Sequence, residues 1–456
     1  METGPIGKTL FAFTLPVLLC QLLQMLYNIT DCFVVGHWVG NGGLAAAGIG
    51  GLILSVIVNF FIGFSSGVSI IISHHFGAYR YGKVSSAIGT VVSLGLLVGL
   101  LLTLGGCLEA ERLLRWLNCP PDILKEATLY LSIGFLGLMP QLLFNIGDGI
   151  LRALGNTRTA LYLLTASTMV NLALDLLFVT VLDWGMAGAA LATVLSQLIL
   201  GCFILRKLTR LHPDYALTRR RLRLSLTDLN EIIRLSMPAG MQALFMSISS
   251  LVIQLSINAF GAAAAAGMVL FAKLEGFIYY PTFAYGIALT GFIGQNYGAR
   301  RLDRIRDAVR FSLITAVLFT APLSFLLTYF AEPLLAGFTS NQETLRHGVA
   351  AVLWVLPSYI FYSVNQVYLG ALKGLGNAAW PMLCTLICYA LFRVLWCQAL
   401  FSYWWDMRVV YTSYSVSLVM MFAMLAIRWR QVFRAKAAPE AAPTPVGTAH
   451  PMLPHS

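Results

Sequence analysis

The sequence predicts an all-α membrane protein with 12 transmembrane helices, arranged as two parallel repeats of six helices each. Three observations support this fold class. First, 58% of the 456 residues are hydrophobic and only 11% are charged, whereas soluble domains carry about 25% charged residues. Second, long apolar runs alternate with short charged loops. Third, the second half of the chain repeats motifs of the first half.

Each apolar run is long enough to cross a bilayer, for which about 20 residues suffice. Glycine, proline and charged residues mark the ends of the runs. We place the 12 spans near residues 11–35, 44–72, 86–108, 124–147, 158–182, 186–206, 231–259, 263–293, 308–330, 345–370, 379–400 and 408–428.

The charged loops indicate the topology. Most of the 30 lysine and arginine residues fall in every second loop, and acidic residues predominate in the others. Because basic residues concentrate in cytoplasmic loops, we predict a multi-pass protein with both termini in the cytoplasm. We expect its membrane to be a bacterial inner membrane. The net charge of +11 follows from this topology, so the lipid bilayer is an expected partner and nucleic acid is not.

The spans divide the chain into an N-lobe at residues 1–206 and a C-lobe at residues 231–434. A basic linker at residues 207–230 joins them, and its arginine run either fixes the topology or binds acidic lipid headgroups. Residues 435–456 are rich in proline and alanine. This segment has little apolar surface to bury, so we expect it to be disordered.

Four pairs of motifs recur at a nearly constant offset. HHFGAYRYGK, which starts at His74, aligns with QNYGARRLDR, which starts 221 residues later at Gln295. GILRALGN at Gly149 and GALKGLGN at Gly370 have the same separation. Six is an even number of spans, so both copies enter the membrane from the same side. Transporters whose two lobes rock about a central site show such parallel repeats, whereas a channel with one fixed pore does not need them.

The first span carries a polar stripe. Gln21, Gln24, Asn28 and Asp31 recur every three or four residues, which places them on one helix face. A carboxylate near the middle of a spanning helix costs about 2.5–3.5 kcal/mol, so the stripe should face protein or water, and Asp31 is a functional candidate. The alternative is that Asp31 is a polar group at the helix end that only supports packing.

Further polar residues in the N-lobe predict an ion site. Asn171 and Asp175 share one face of span five, and Thr193 lies in span six. Together with Asp31 they offer two carboxylates, an amide and a hydroxyl, an all-oxygen set that suits a hard cation such as Na⁺. Two carboxylates close together would not both ionise readily, so the same pair could instead bind a proton. The residues do not decide between the two ions.

In the C-lobe, Glu275 in span eight and Arg393 in span eleven are either a structural ion pair or part of a substrate site. Tyrosines such as Tyr279 suit cation–π contact with a lipophilic cation. The residues that we predict to line a substrate pocket in the two lobes are Asn28, Asn145, Asp148, Gln254, Glu275 and Arg393.

These motifs resemble the multidrug and toxic compound extrusion (MATE) family of transporters, in its DinF-like branch. The resemblance extends over residues 8–430 and is carried by LPVLLCQLLQMLYNITDCFVVG, FGAYRYGK, NYGARRLDR, LRALGNTRTALY and KLEGFIYYPTFAYG. It implies a V-shaped pair of six-helix lobes around a central cleft. It also implies a secondary active antiporter that expels organic cations and amphipathic drugs in exchange for sodium ions or protons, by alternating access.

Members of this branch keep an aspartate on helix one, Asn-x3-Asp on helix five and a threonine on helix six. The matching positions here are Asp31, Asn171, Asp175 and Thr193. Tyr27 matches a pocket residue of the branch. The resemblance further implies that Pro16 acts as a hinge, at which helix one kinks when Asp31 takes up a proton.

Two other functions compete with this interpretation. A lipid-linked oligosaccharide flippase of the same superfamily would need many basic residues in its cavity, and only Lys273 and Arg393 lie within the predicted spans away from their ends. An intramembrane enzyme is disfavoured because the HExxH motif is absent, and we interpret His74 and His75 as surface residues. We therefore expect a non-enzymatic monomer that transports lipophilic cations, with no cofactor other than the coupling ion.

Overall fold

The computed structural model describes residues 4–34, 37–38 and 41–437, with all side chains in these ranges except those of residues 28–29, 31–33, 41–42, 44–45 and 437. This part of the chain is almost entirely helical and contains no strand. It has 12 helical segments that are long and apolar enough to cross a membrane. The predicted fold class and the number of spans are therefore confirmed.

The N-lobe consists of six long helices. They are α1 (Ile6–Val34), α2 (Asn41–Gly77), α3 (Tyr81–Trp116), α4 (Pro121–Ala153), α5 (Thr157–Asp175) and α6 (Gly185–Thr209). Asn156 begins α5 as its N-cap, because its side chain accepts a hydrogen bond from the backbone N–H of Thr159 at 3.2 Å. After Asp175 the helix continues as a π-helical segment, Leu176–Val181.

The C-lobe forms six spans from nine helices. They are α7 (Leu226–Asn258), α8 (Ala262–Gly298), α9 (Leu302–Tyr329), α10 (Ala331–Ala336), α11 (Gln342–Val355), α12 (Tyr359–Gly374), α13 (Ala379–Thr385), α14 (Arg393–Phe401) and α15 (Met407–Ala437). A 3₁₀ turn that contains Pro357 separates α11 from α12, since proline lacks the N–H that an α-helix requires. A π-helical segment, Leu386–Phe392, joins α13 to α14.

The predicted lobe boundaries differ from the helix ends by a few residues. The helices α6 and α7 extend into the predicted linker, and Ser225 caps α7 by accepting a hydrogen bond from the Asp228 N–H. The last helix reaches Ala437, three residues beyond the predicted end of the C-lobe. Residues 438–456, most of the predicted disordered tail, lie outside the described residues.

The outer surface of the bundle is apolar. On α3, for example, Leu97, Leu101, Leu104 and Leu108 are exposed and recur every three or four residues, so they form one continuous face. An exposed apolar stripe of this length fits lipid rather than water. The polar and buried residues of the same helices therefore point into the lobes.

The two lobes meet along glycine-lined crossings, at which their backbones approach closely. A Cβ atom on Gly67 of α2 would collide with the backbone of Ser236 on α7, and a Cβ atom on Gly77 would collide with the carbonyl of Gln295 on α8. Helix α1 also packs against α8 of the opposite lobe as well as against α5 of its own. Small residues permit such crossings between membrane helices.

A pair of symmetric hydrogen bonds holds the lobes together. Nε2 of His74 donates to the carbonyl of Gly374 at 2.7 Å, and Nε2 of Gln295 donates to the carbonyl of Ala153 at 2.7 Å. His74 and Gln295 are equivalent positions of the repeat, and so are Ala153 and Gly374. The repeat axis therefore relates the two bonds, which we call the reciprocal latch.

The latch lies at the linker end of the bundle, the end that holds residues 210–225 together with the α2–α3 and α8–α9 turns. Ion pairs between Lys83 and Asp228 (3.5 Å) and between His75 and Glu231 (3.3 Å) add to the contact. The interpretation of His74 and His75 as surface residues is therefore wrong, because both lie between the lobes. The two lobes are therefore in close contact at the linker end, which is closed.

Candidate functional site

A polar cavity of about 340 Å³ lies in the N-lobe. We call it the N-lobe cavity. The predicted pocket residues Asn145 and Asp148 line it, together with Gln21 and Gln24 from the polar stripe of α1. These cavity-lining residues lie on the polar faces of α1 and α4 that the sequence predicts. Nδ2 of Asn145 is buried and has no hydrogen-bond partner among the described residues, so a donor is available for a bound molecule.

The charge of Asp148 is balanced within its own helix. Its carboxylate forms an ion pair with Arg152 at 2.7 Å, and both side chains are largely buried. The residues are four apart, a spacing at which helical side chains meet. This ion pair was missed at the sequence level, although the spacing could have revealed it. Asp148 is therefore part of a neutral pair that lines the cavity.

The predicted ion-binding residues of span five lie deeper in the lobe. Asp175 has no solvent-exposed surface and Asn171 is 1% exposed, because the face that carries them packs against α6. The α5–α6 contact is itself polar, since Oγ of Ser167 donates to the carbonyl of Ser196 at 3.1 Å. Thr193 lies on α6, one turn before Ser196. These three predicted residues thus belong to two helices that pack together, outside the lining of the N-lobe cavity.

Part of the predicted site lies outside the described residues. The side chains of Asn28 and Asp31 are not among those described, although α1 runs through both positions and packs against α5. Tyr27 is half-buried on α1 and does not line the N-lobe cavity. Pro16 is buried inside α1, which continues past it.

A second cavity, of about 310 Å³, lies in the C-lobe and contains the other predicted pocket residues. We call it the C-lobe cavity. Gln254, Glu275 and Arg393 all line it. Among the described residues, however, Glu275 and Arg393 do not form the ion pair that we considered. The hydroxyl of Tyr359 donates to the carboxylate of Glu275 instead.

Arg393 is held by neutral groups. Its Nε donates to Oγ of Ser417 at 2.8 Å. Its guanidinium carbon lies 4.3 Å from the ring centre of Tyr389 and 4.2 Å from that of Tyr414, within the range of cation–π attraction. Two aromatic faces therefore take the place of a carboxylate. Lys273, in contrast, is exposed on the outside of α8.

A third cavity, of about 300 Å³, lies between the lobes. We call it the interlobe cavity. It is bounded by α2, α7, α8 and α12, and Gln242, Gln366 and Lys373 contribute polar groups to its wall. Tyr279 of α8 lines this cavity and also the N-lobe and C-lobe cavities. Its ring stacks on Phe283 and on Tyr362, so an aromatic wall separates the three spaces.

Two of these contributions were not predicted. Lys373 was assigned to a loop, but α12 contains it and directs it into the interlobe cavity. Tyr279 was one of several candidate aromatics, and no sequence signal singles it out, because its position depends on how the lobes meet. No cluster of three or more His, Cys, Asp or Glu side chains suited to a metal occurs in the described part of the chain.

The fold and its cavities define a class of protein: a two-lobed helical membrane protein of the transporter type, with polar and aromatic spaces between its repeats. The MatE family model matches residues 16–177 and again residues 238–398. The chain belongs to the MatE family, as predicted. The two matches also confirm the internal repeat, whereas assignment to the DinF-like branch stays a prediction.

Curated relatives and solved structures agree with this assignment. The chain is 26% identical over 384 residues to "Probable multidrug resistance protein YoeA" of Bacillus subtilis, covering 82% of this chain and 83% of the relative. It is 27% identical over 406 residues to "Probable multidrug resistance protein YpnP" of the same organism, covering 88% and 89%. The structure titled "Outward-facing conformation of a multidrug resistance MATE family transporter of the MOP superfamily" matches with a TM-score of 0.87 and 21% identity, covering 95% and 97%.

Proposed function

We propose that this protein is a secondary active multidrug efflux transporter, which exchanges organic cations and amphipathic drugs for protons or sodium ions. The observation that carries the proposal is the combination of a buried carboxylate in the N-lobe, Asp175, with cavities that meet at the interface of two repeated lobes. The names of the curated relatives support the multidrug cargo. The cargo leaves chemically unchanged, so the protein is not an enzyme.

The closed linker end defines the state of the transporter. Basic residues are concentrated there, among them the run Arg219–Arg221 of the linker, so this end faces the cytoplasm of a bacterial cell and both termini lie there. With the cytoplasmic end sealed by the reciprocal latch, the cavities can open only to the outside. The structure therefore represents an outward-facing state of the transport cycle.

Coupling to the ion takes place in the N-lobe. Asp31 and Asp175, supported by Asn171 and Thr193, bind a proton or a sodium ion in the space between α1, α5 and α6. Binding of the ion neutralises a buried carboxylate, whereas a cationic drug in the neighbouring cavities is attracted by the same negative charge without contacting it. Because both compete for the same negative charge, entry of the ion favours release of the drug.

The drug occupies the space around Tyr279. The N-lobe, C-lobe and interlobe cavities measure about 300–340 Å³ each, within the range of small-molecule sites. Aromatic faces at Tyr279 and Phe283 attract a lipophilic cation, and Gln21 and Asn59 provide hydrogen-bonding groups. Such a mixed lining accepts many amphipathic shapes, as a multidrug transporter requires.

A lipid-linked oligosaccharide flippase remains the second candidate, because Arg152 and Lys373 line the interlobe cavity and add to the two intramembrane cations counted in the sequence. Diphosphate cargo would need these cations free. Arg152 is neutralised by Asp148, and Arg393 is enclosed by two tyrosine rings. Among the described residues, Lys373 alone of these three cations is held neither by a carboxylate nor between tyrosine rings, and one cation is too few to hold a diphosphate.

The test uses purified protein in proteoliposomes. A fluorescent organic cation should accumulate against its gradient when either a pH gradient or a sodium gradient is imposed, and the effective gradient identifies the ion. The accumulated cation should be recovered unmodified. Accumulation that responds to neither gradient, together with translocation of a fluorescent polyprenyl diphosphate, would instead establish the flippase.

A further inference from the structure

A fourth cavity, of about 610 Å³, lies at the linker end of the C-lobe, away from the transport route. It is bounded by the start of α7, the α12–α13 turn and the last turns of α15. Three basic side chains line it, from Arg234, Arg428 and Lys436, and its lining contains no acidic residue. We call it the basic cavity.

None of the three charges is neutralised by a carboxylate of the described residues. Nη1 of Arg428 donates only to Oε1 of Gln431, at 3.4 Å, and its Nε is buried without a hydrogen-bond partner among the described groups. Lys436 donates to the hydroxyl of Tyr297 at 2.5 Å and to the carbonyl of Leu375 at 3.1 Å, both neutral oxygens. Arg234 is exposed at the rim of the cavity.

Converging positive charges in a recessed space repel one another unless an anion is present. A phosphate group fits this arrangement, because it offers several acceptor oxygens that one arginine can bind in bidentate fashion while a lysine contributes a point charge. The cavity is also large enough for more than a bare ion. Gln431 and Asn377 add neutral polar groups to its wall.

The depth of the cavity indicates where the phosphate comes from. Helix α15 begins at Met407, and about 21 residues, or about 32 Å of helix, bring it to Arg428, which is the thickness of the hydrocarbon core. The turns from Arg428 to Lys436 therefore lie at the level of lipid headgroups. The guanidinium of Arg428 lies over the ring of Trp380 at 5.1 Å, and tryptophan is enriched at this interface.

We propose that the basic cavity binds the phosphate of an anionic lipid headgroup from the cytoplasmic leaflet. Basic pockets between membrane helices on the cytoplasmic side recognise such headgroups. The bound lipid would join the first turns of α7 to the last turns of α15. It would thereby stabilise the part of the C-lobe that borders the latch, which goes beyond drug transport itself.

The test compares lipid-dependent stability. Purified protein in nanodiscs of phosphatidylglycerol should show a higher midpoint of thermal unfolding than in phosphatidylcholine, and native mass spectrometry should detect retained phosphatidylglycerol. The Arg234→Gln, Arg428→Gln double variant should lose most of this increment and bind the lipid about a hundredfold more weakly, about tenfold for each of the two charge-assisted contacts removed. Arg234→Gln alone should lose a smaller part of the phosphatidylglycerol-dependent increase in unfolding midpoint. Because its position is exposed, this variant should fold normally.

The matched control is the Arg219→Gln, Arg220→Gln double variant, which removes the same charge from exposed positions of the linker. This variant should keep the full increase in unfolding midpoint that phosphatidylglycerol gives over phosphatidylcholine. If inorganic phosphate in neutral lipid raises the midpoint as much as phosphatidylglycerol does, the site binds phosphate but its source is soluble. An increment that survives in Arg234→Gln, Arg428→Gln, or that falls equally in the linker control, would overturn the proposal.

Discussion

The two lobes have the same order of transmembrane helices but differ in the chemistry of their interiors. The two matches to the MatE family begin 222 residues apart, at 16 and 238, and end 221 residues apart, at 177 and 398, so positions can be compared one by one. The latch residues His74 and Gln295 are equivalent and make equivalent hydrogen bonds. At the linker end, therefore, the repeat has kept its symmetry.

In the interior the symmetry is lost. Asn171 and Asp175 of the N-lobe correspond to Phe392 and Trp396 of the C-lobe, whose rings pack together at 5.3 Å. The polar pair of one lobe is thus an aromatic pair in the other. In the opposite direction, Arg393 corresponds to a leucine at position 172. The comparison supports the proposal that the N-lobe binds the coupling ion, whereas the C-lobe holds a fixed cation between aromatic rings.

The largest effect should come from removing the N-lobe carboxylate. We expect Asp175→Asn to reduce ion-driven efflux more than about tenfold, because an amide cannot bind a proton or carry the negative charge that the drug and the ion share. The matched control is Trp396→Phe at the equivalent C-lobe position, which should transport at close to the wild-type rate. Fluorescent-cation efflux in proteoliposomes measures both, and comparable losses in the two variants would break the proposed division of roles.

A large effect is also expected at the crossing of the lobes. Gly77→Ala places a Cβ against the carbonyl of Gln295, and overpacking of this kind costs about 1–3 kcal/mol, so the closed linker end should be less populated. Gly82→Ala is the control, because a Cβ there meets nothing within 4 Å. Spin labels at positions 80 and 303 should report longer distances in Gly77→Ala only. Unchanged distances in that variant would show that the crossing does not limit closure.

A smaller effect should follow from altering the C-lobe cation. Arg393→Lys keeps the charge but loses the hydrogen bond to Ser417 and the planar stacking between Tyr389 and Tyr414, so we expect a loss of about 1–2 kcal/mol in unfolding free energy. Lys273→Gln, on the exposed face of the same lobe, should have no such effect. Thermal unfolding of the two purified variants provides the comparison, and equal midpoints would contradict a structural role for Arg393.

The smallest effects should come from the latch. Removing one of its hydrogen bonds, by His74→Ala or Gln295→Ala, should shift the equilibrium away from the closed linker end by about 0.5–1.5 kcal/mol. The two variants should behave alike, because the repeat axis relates the bonds. His74→Gln supplies an amide donor as in the other lobe and should largely restore closure in the same spin-label measurement. If one variant changed the spin-label distances much more than the other, the two hydrogen bonds would be equivalent in geometry but not in the free energy that they contribute.

Much of the fold could be predicted from the sequence because the relevant signals are local. Hydropathy gave the spans, the spacing of side chains gave the polar faces of α1, α4 and α5, and the duplicated motifs gave the lobes. Asn145, Asp148, Gln254, Glu275 and Arg393 all line cavities, and their role as substrate-pocket residues stays a prediction. The partners of these residues were harder to predict, since pairing depends on how helices cross.

The latch illustrates that limit. The sequence shows that His74 and Gln295 are equivalent, but nothing in it indicates that each reaches across to the other lobe. The close crossing of α2 and α8, which glycines permit, determines that contact. In the same way, Glu275 and Arg393 line one cavity, so an ion pair between them was a reasonable expectation. Their hydrogen-bond partners are instead Tyr359 of α12 and Ser417 of α15.

The central claim is that drug and ion compete for the carboxylates of the N-lobe, and equilibrium binding of a fluorescent cationic drug tests it most directly. Protonation or sodium binding removes the negative charge, so the dissociation constant of the drug in wild-type protein should rise as the pH falls or as sodium is added, approaching tenfold per pH unit for a proton. In Asp175→Asn this dependence should be greatly weakened. A dissociation constant that is independent of both pH and sodium, or a dependence that Asp175→Asn leaves unchanged, would contradict the account.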